Sequence, residues 1–113
     1  MDNQAMEPGL FGSEAKSRIL LAIYLLNETY VSELAQLLGR SPSRIQEAVA
    51  SFELVGVVST RLFAGARLVS LNANFYAAKE LRELLQKLGV QDVELQQMLA
   101  KKRRRPRRMN KGL

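Results

Sequence analysis

The residues best suited to chemistry lie in one short polar segment on either side of a serine–proline pair. Arg40 and Arg44 carry several N–H donors in a planar fork, and Gln46 can both donate and accept hydrogen bonds. In a helix that enters the major groove of DNA, arginine can bind guanine and glutamine can bind adenine, each through two hydrogen bonds. These residue types therefore indicate recognition of nucleic acid rather than catalysis.

A second group of residues that could bind a polyanion lies at the end of the chain. Residues 101–113 hold eight of the seventeen basic residues and no acidic one, which leaves nine basic against eleven acidic residues elsewhere, a net charge of −2. Most nonspecific attraction to a polyanion must therefore come from this basic arm. Its basic residues are Lys101, Lys102, Arg103, Arg104, Arg105, Arg107, Arg108 and Lys111.

The composition of the chain argues against an enzyme. Histidine and cysteine are absent, so there is no imidazole base, no thiolate nucleophile and no His or Cys ligand for zinc. No glycine-rich phosphate-binding motif occurs, and single carboxylates such as Glu53 and Glu80 fit solvated helix faces. We expect no cofactor, no bound metal and no enzymatic activity.

The hydropathy of the chain argues against a membrane protein. No apolar run approaches the ~18 residues needed to cross a bilayer, and the N-terminus lacks the features of a signal peptide. The absence of cysteine fits a reducing compartment. We therefore expect a cytoplasmic protein with no membrane partner.

The first helix is expected to have two buried faces. Ser13 is a good N-cap, and the helix that follows runs to about Leu26. Residues 19–26 are all apolar, which is more than the single stripe that a surface helix needs. One face can pack on the domain core, and the surplus predicts a second buried face such as a subunit interface.

Two short helices joined by a tight turn should present the polar segment. Ser32 predicts the start of the first, over residues 33–38, and Gly39 fits the left-handed position that ends it. Ser41 and Pro42 predict the N-cap and first turn of the next helix. The core face of that helix should consist of Ile45, Ala48, Val49 and Phe52, at i, i+3, i+4 and i+7. The outward face should carry Ser43, Arg44, Gln46, Glu47, Ala50 and Ser51.

A two-stranded hairpin should follow this pair of helices. Residues 57–63 and 67–71 are β-prone, and Gly65 between them fits a tight tip. Two helices joined by a glycine turn and followed by a hairpin make a winged helix-turn-helix, in which the second helix enters the major groove. The predicted fold is therefore mainly α with a small β-hairpin, a winged helix-turn-helix with an additional C-terminal helix.

Two helices and the basic arm should complete the chain. Asn72 or Asn74 can cap a fourth helix that ends at Gly89, and a fifth helix is expected over residues 91–102. The apolar residues of the first and fifth helices would meet across a homodimer. The predicted interface consists of Ile19, Ile23, Val93, Leu95, Met98 and Leu99. The predicted organisation is a flexible N-terminus (1–9), a winged helix-turn-helix domain with C-terminal helices (10–100) and a disordered basic arm (101–113).

Five stretches of the sequence carry a resemblance to a known family. They are Leu10-Phe11-Gly12-Ser13 with Arg18-Ile19-Leu20, Tyr30-Val31-Ser32-Glu33-Leu34-Ala35, Leu38-Gly39-Arg40-Ser41-Pro42-Ser43, and Gly56-Val57-Val58. Residues 10–88, about two-thirds of the chain, resemble the winged helix-turn-helix repressors of the ArsR type, near a branch of small prokaryotic regulators and nucleotidyltransferase-linked domains. The resemblance implies DNA-binding transcriptional control by a homodimer.

The resemblance also implies which residues meet DNA. The residues that match positions usually in contact with DNA are Ser41, Ser43, Arg44 and Gln46, with Arg40 facing phosphate in the turn. Arg67, with Arg61 beside it in the hairpin, falls at the wing that touches the minor groove or its phosphates. Glu47 and Ala50 depart from the pattern, because the family commonly has basic residues there. The family's metal-sensing members use Cys or His pairs, which this chain lacks, so metal sensing is not expected.

The sequence therefore predicts a sequence-specific regulator of transcription that binds double-stranded DNA. We expect a dimeric repressor in a prokaryotic cytoplasm, associated with the nucleoid when bound, whose basic tail adds phosphate or minor-groove contacts. The alternative is a protein-interaction or assembly module whose tail binds RNA or nonspecific DNA. The near-neutral outward face of the third helix fits that alternative.

Overall fold

The computed structural model describes residues 11–104, with side chains to residue 102. The predictions for residues 1–9 and for Arg105, Arg107, Arg108 and Lys111 lie outside the described residues. The described chain forms five helices and a three-stranded antiparallel sheet, which confirms the mainly α winged architecture. The helices are α1 (Glu14–Leu26), α2 (Val31–Leu38), α3 (Pro42–Leu54), α4 (Ala78–Gln91) and α5 (Val93–Arg104). The strands are β1 (Glu28–Tyr30), β2 (Val58–Phe63) and β3 (Ala66–Leu71).

Helix α1 lies at the centre of the domain. Ser13 caps it as predicted, since its hydroxyl accepts a hydrogen bond from the backbone N–H of Lys16 at 3.0 Å. Ile19, Leu21 and Ile23 lie on different sides of the helix, yet none is more than 2% exposed. Helices α2, α3 and α4 and strands β1 and β3 all contact α1. Residues 19–23 are therefore covered within one chain, and the prediction that this apolar surplus faces a second subunit is wrong for them, while Tyr24, Leu25 and Leu26 are half-buried.

The turn between α2 and α3 forms as the sequence predicts. Gly39 has a φ of 66°, the left-handed conformation that glycine adopts without strain. Ser41 caps α3, and its hydroxyl accepts a hydrogen bond from the backbone N–H of Arg44 at 3.3 Å. The predicted core face of α3 is buried and consists of Ile45, Ala48, Val49 and Phe52. The core therefore fixes which face of α3 looks outward.

Helix α2 begins differently from the prediction, because Ser32 is not its cap. The carboxylate of Glu33 accepts hydrogen bonds from the backbone N–H of Tyr30 at 3.2 Å and from the hydroxyl of Thr29 at 2.9 Å. Glu33 therefore satisfies the start of the helix from inside its first turn, while Ser32 is exposed. Strand β1 leads directly into α2, which ties the sheet to the helix-turn-helix.

The wing is the β2–β3 hairpin of a sheet with strand order β1-β3-β2. Its tip is a two-residue turn at Ala64 and Gly65, whose φ angles of 53° and 81° are both positive, as in a type I′ turn. In the register of the hairpin, Arg67 pairs with Leu62, the neighbour of Arg61. Successive residues of a strand point to opposite faces, so Arg61 and Arg67 lie on opposite faces of the wing.

Helix α4 has boundaries that differ from those predicted. Neither Asn72 nor Asn74 caps it; the Asn72 side chain instead donates to the carbonyl oxygen of Gly56 at 2.9 Å. The helix also continues through Gly89, which the sequence predicted as its end. A Cβ at Gly89 would lie 3.4 Å from Cδ2 of Leu25, an ordinary van der Waals contact, so this buried position of α4 packs directly against α1.

A charged cluster joins α1 to the junction of α4 and α5. The guanidinium of Arg18 donates to both carboxylate oxygens of Asp92 at 2.9 Å and to Glu94 at 3.1 Å. Asp92 also accepts from the backbone N–H of Leu95 at 3.1 Å and so caps α5. Burial lowers the pKa of Arg18, but the hydrogen bonds and charges of Asp92 and Glu94 outweigh it and raise that pKa above its ordinary value. This cluster fixes the direction in which α5 runs back onto the domain.

Most of the predicted dimer interface lies inside the domain. Leu95 and Leu99 of α5, like Ile19 and Ile23 of α1, are at most 2% exposed within a single chain. Met98 packs against the same core and is half-buried. A side chain that one chain already covers has no surface to offer to another, so the interface prediction is wrong for Ile19, Ile23, Leu95 and Leu99. Val93 alone of the predicted set is exposed, at 62%.

Candidate nucleic-acid interface

The N-terminal half of α3 and the turn before it present the polar side chains that the sequence predicts to meet DNA. All of them are exposed: Arg40, Ser41, Ser43, Arg44, Gln46 and Glu47. The opposite face of α3 is packed into the core, so their orientation relative to the domain is fixed. A helix with its side chains is ~10–12 Å wide and the major groove is ~12 Å wide. This end of α3 therefore has the shape and donor types that base recognition requires.

Two serines at the start of α3 have local partners. The hydroxyl of Ser41 accepts from the backbone N–H of Arg44 at 3.3 Å and lies 3.4 Å from the hydroxyl of Ser43. Ser41 therefore shapes the beginning of the helix in addition to being available at the surface. The positive end of the helix dipole and the N–H groups of the first turn favour an anion such as a phosphate at this point.

The outward surface of α3 and its preceding turn has no excess of positive charge. Arg40 and Arg44 are matched by Glu47 and Glu53, and all four side chains are exposed. Such a surface can select a partner through placed donors and acceptors, but its charge supplies little general attraction to a polyanion. The affinity of the domain for nucleic acid would then have to come from elsewhere in the molecule.

One wing arginine is connected to α3 through a hydroxyl. Arg67 donates from Nη1 to the hydroxyl oxygen of Thr60 at 3.0 Å, and that hydroxyl donates to Oε2 of Glu53 at 2.9 Å. Glu53 is in the last turn of α3, Thr60 is in β2 and Arg67 is in β3. The three side chains thus link α3 to the wing.

The other wing arginine lies on the opposite face of the hairpin. Nη2 of Arg61 lies 3.3 Å from Oε2 of Glu28 in β1, and its guanidinium carbon lies 5.4 Å from the ring centre of Phe63. An acidic partner and an aromatic neighbour therefore occupy Arg61 on the side turned away from the Glu53–Thr60 link. The structure does not bring the two predicted wing residues together.

The basic arm begins as part of a helix. Helix α5 continues through Arg103 to Arg104, so the predicted disorder from residue 101 onward is wrong for the first four residues of the arm. Lys101 is exposed, whereas Lys102 is half-buried and its Nζ lies 3.6 Å from Oε2 of Glu33 in α2. The start of the basic segment is therefore fixed beside the helix-turn-helix.

Sequence reasoning missed the link formed by Glu53 and Thr60. Glu53 was expected to be an ordinary solvated carboxylate, and Thr60 had no predicted role. The signal was available in principle, because a two-residue tip at residues 64–65 sets the register of the hairpin and places Thr60 diagonally across from Arg67. The strand pattern could not predict that the side chain of Glu53 extends from α3 to the wing and accepts a hydrogen bond from Thr60.

Neither a membrane span nor a metal site is found in the part of the chain that the structure describes. None of the helices in residues 11–104 is long and apolar enough to cross a bilayer. The same residues contain no group of three or more acidic, histidine or cysteine side chains that could hold a metal ion.

Comparisons with known proteins show a likeness in fold. No family model matches the sequence, and no curated protein matches it. Among solved structures, a mutant of ZitR from Lactococcus lactis has a TM-score of 0.58 at 13% identity, over 90% of this chain and 66% of that one. The adhesin competence repressor AdcR from Streptococcus pyogenes has a TM-score of 0.56 at 14% identity, over 77% of this chain and 64% of that one.

The low sequence identity and partial coverage of these matches limit the likeness to the fold. A second ZitR mutant has a TM-score of 0.52 at 19% identity, over 84% of this chain and 73% of that one. The chain spans slightly less than two thirds of the first two structures. The narrower resemblance to the ArsR type stays a prediction. What these structures and the present chain share is the winged-helix fold.

Proposed function

We propose that this chain is a DNA-binding regulator of transcription that acts as a repressor, with α3 as its recognition helix. The observation that carries the proposal is the exposed polar N-terminal half of α3, held in a helix-turn-helix by a buried apolar face. The likeness in fold to a protein named as a repressor supports the same conclusion.

Sequence choice is assigned to the first two turns of α3. Arg44 and Gln46 are exposed there, and neither side chain takes part in an ion pair or hydrogen bond within the described part of the chain. Arginine can bind O6 and N7 of guanine, and glutamine can bind N6 and N7 of adenine. Arg40 and Ser43 lie close enough in sequence to contact the flanking phosphates, which would fix the register of the helix in the groove.

Affinity is assigned to the basic arm. Residues 101–113 carry eight positive charges and no negative one, while the remainder of the chain has a net charge of −2. Each phosphate that a cation neutralises releases counterions, and this release favours binding regardless of base sequence. The arm therefore contributes contacts to phosphates or to the minor groove of double-stranded DNA.

The regulator is proposed to bind as a homodimer, through a surface that keeps Val93 of the interface expected from sequence and adds Val90. Val90 and Val93 flank the turn between α4 and α5 and are 72% and 62% exposed. Their burial against a second copy would contribute ~25 cal/mol for each Å² of apolar area removed from water. Two copies of α3 would then read two half-sites of a palindrome.

The test of the function is footprinting of the full-length chain on the DNA upstream of its own gene. A bounded protected region that contains an inverted repeat and persists at 150–200 mM salt, a range in which nonspecific contacts weaken strongly, is the expected result. Protection that appears only at low salt and shows no sequence preference would contradict the proposal.

A second candidate function is favoured by the balanced charge of the α3 surface. A winged helix can serve as a protein-interaction or assembly module, with the basic arm bound to RNA or to DNA of any sequence. That function predicts equal affinity for random duplexes and for single-stranded RNA of matched length, with no protected site in the footprint. The two candidates therefore give opposite results in one experiment.

A further inference from the structure

The two faces of the wing differ in how they hold their arginines. Resting on the function proposed above, we propose that Glu53 and Thr60 are positioning residues that hold Arg67 against a DNA phosphate beside α3. By the same geometry Arg61 is a structural residue of the sheet rather than a DNA contact. The juxtaposition that carries the proposal is the continuous hydrogen-bonded path from Glu53 in α3 through Thr60 in β2 to Arg67 in β3.

The direction of each hydrogen bond in this path is set by chemistry. A carboxylate can only accept, so Glu53 takes the single proton of the Thr60 hydroxyl at 2.9 Å. The oxygen lone pairs of Thr60 are then turned toward Arg67, which donates to them at 3.0 Å. A guanidinium has five N–H donors, and this hydrogen bond uses one of them, on Nη1. The remaining donors stay at the surface of an exposed residue, where a phosphate can reach them.

The charge of Arg67 is held but not cancelled. Its direct partner is a neutral hydroxyl, and Glu53 acts on it only through that hydroxyl. Arg61, in contrast, is in an ion pair with Glu28 at 3.3 Å and lies over Phe63. Movement of Arg61 onto a phosphate would break that pair. Of the two arginines, Arg67 therefore needs the smaller rearrangement to bind DNA.

The path also couples two parts of the interface that are otherwise separate. Glu53 lies in the last turn of α3, the helix that would lie in the major groove. Arg67 lies near the tip of the wing, which would reach the adjacent sugar–phosphate backbone of the DNA. A side chain already held in its binding geometry loses less conformational freedom when DNA binds. The path therefore sets the distance between the contacts of α3 in the DNA groove and the contact of Arg67 with the DNA backbone. A fixed distance between groove and backbone is a property of double-helical DNA rather than of a protein partner.

The test uses full-length protein with three substitutions at the middle and end of the path. Thr60→Val removes the hydroxyl and keeps the shape of the side chain, Thr60→Ser keeps the hydroxyl, and Arg67→Ala removes the contact. The dissociation constant and its salt dependence are measured on the footprinted site by fluorescence anisotropy, and thermal melting checks the fold. Arg61→Ala is the matched control on the other face of the wing.

The expected results form a pattern that a merely structural role would not produce. Arg67→Ala lowers the salt slope by ~0.9 per chain, the loss of one phosphate contact. Thr60→Val weakens binding by about two- to tenfold, the range of one hydrogen bond, and has no further effect when Arg67 is already alanine. Thr60→Ser binds like the unsubstituted protein, and Arg61→Ala leaves the salt slope unchanged.

Each other outcome contradicts a definite part of the proposal. An equal effect of Thr60→Val with and without Arg67 would show that the hydroxyl acts through the fold. A fall in salt slope for Arg61→Ala but not for Arg67→Ala would reverse the assignment of the two arginines. Normal site-specific binding by all four variants overturns the positioning role alone. Absence of site-specific binding by the unsubstituted protein overturns the proposed function and this inference together.

Discussion

The outward face of α3 and the basic segment that begins at the end of α5 differ in charge. The α3 side chains stand on a helix whose other face is buried, and their charges balance. The basic residues start on the last turn of α5 and continue into the terminal segment, with eight positive charges in thirteen residues. One region has fixed geometry with little net charge, and the other has high charge with a single described anchor, the ion pair of Lys102 with Glu33.

This difference indicates how selectivity and affinity can be separated in a small protein. Hydrogen bonds to base edges require donors held at fixed positions, which a packed helix provides. Counterion release requires only positive charge near phosphate, and it does not depend on a fixed geometry. Because Lys102 is attached to α2, the charged segment begins next to the helix pair that would choose the site.

The largest effect is expected from removal of residues 105–113. Truncation after Arg104 keeps α5 complete and removes four positive charges, those of Arg105, Arg107, Arg108 and Lys111. The slope of log K against log salt should fall by up to ~0.9 per removed contact, or about 3–4 per chain. A salt titration on cognate and random DNA measures this fall.

The preference for the cognate site should survive the truncation, because Arg44 and Gln46 remain on α3. A full-length control with the same four residues changed to glutamine separates charge from chain length and should behave like the truncated protein. An unchanged slope would mean that the arm does not touch phosphate. Loss of cognate preference alone would mean that the arm reads the minor groove, and the division of roles between the two regions would be wrong.

The next largest effect is expected from disruption of the proposed dimer, which would present two α3 faces to one DNA. A lysine at Val93 should weaken association, because an exposed apolar side chain would be replaced by a charge that must be desolvated at an interface. Light scattering should show a shift from dimer to monomer at micromolar concentration, while a cooperative thermal transition shows that the monomer remains folded. Tyr76→Lys, at another exposed position, is the control. A shift caused by Tyr76→Lys instead would assign the interface elsewhere.

Substitution of the base-reading residues should have a smaller effect that is confined to the cognate site. Arg44→Ala and Gln46→Ala should each weaken cognate binding by ~1–3 kcal/mol, the discrimination that a bidentate base contact supplies. Random DNA should be bound almost as before. The matched controls are Arg82→Ala and Gln86→Ala, which remove the same exposed side chains from α4. Equal losses on cognate and random DNA would show that neither residue reads bases.

The helix-turn-helix could be predicted from the sequence because its signals are local. Gly39 needs a left-handed conformation, and Ser41 and Pro42 fit the cap and first turn of a helix. The spacing of the α3 core residues then fixed the outward face, which the structure confirms. Each of these features depends on residues within a few positions of one another.

The burial of α1 and α5 could not be predicted in the same way, because it depends on what surrounds each helix. Apolar residues on all sides of α1 were interpreted as a sign of two partners, one of them a second subunit. A helix that is apolar all round is equally well explained by burial at the centre of one domain, and α1 lies there. The same holds for Leu95 and Leu99, whose burial depends on how the Arg18–Asp92 pair directs α5 onto the domain.

The smallest effect is expected from the acidic residue on the recognition surface. Glu47 is exposed next to Gln46, and in the proposed complex its carboxylate would lie near phosphates. Glu47→Gln removes one repulsive charge per chain and should tighten binding to random DNA by about 1.5- to 5-fold, the range of a single exposed charge interaction. Glu80→Gln makes the same change of charge on α4 and should have no such effect. If Glu47 accepts from a cytosine N4 amine in the cognate site, Glu47→Gln should lower cognate affinity while it raises the nonspecific one. No change on either DNA would mean that this face of α3 points away from the double helix, and that the balanced charge of α3 serves a protein partner instead.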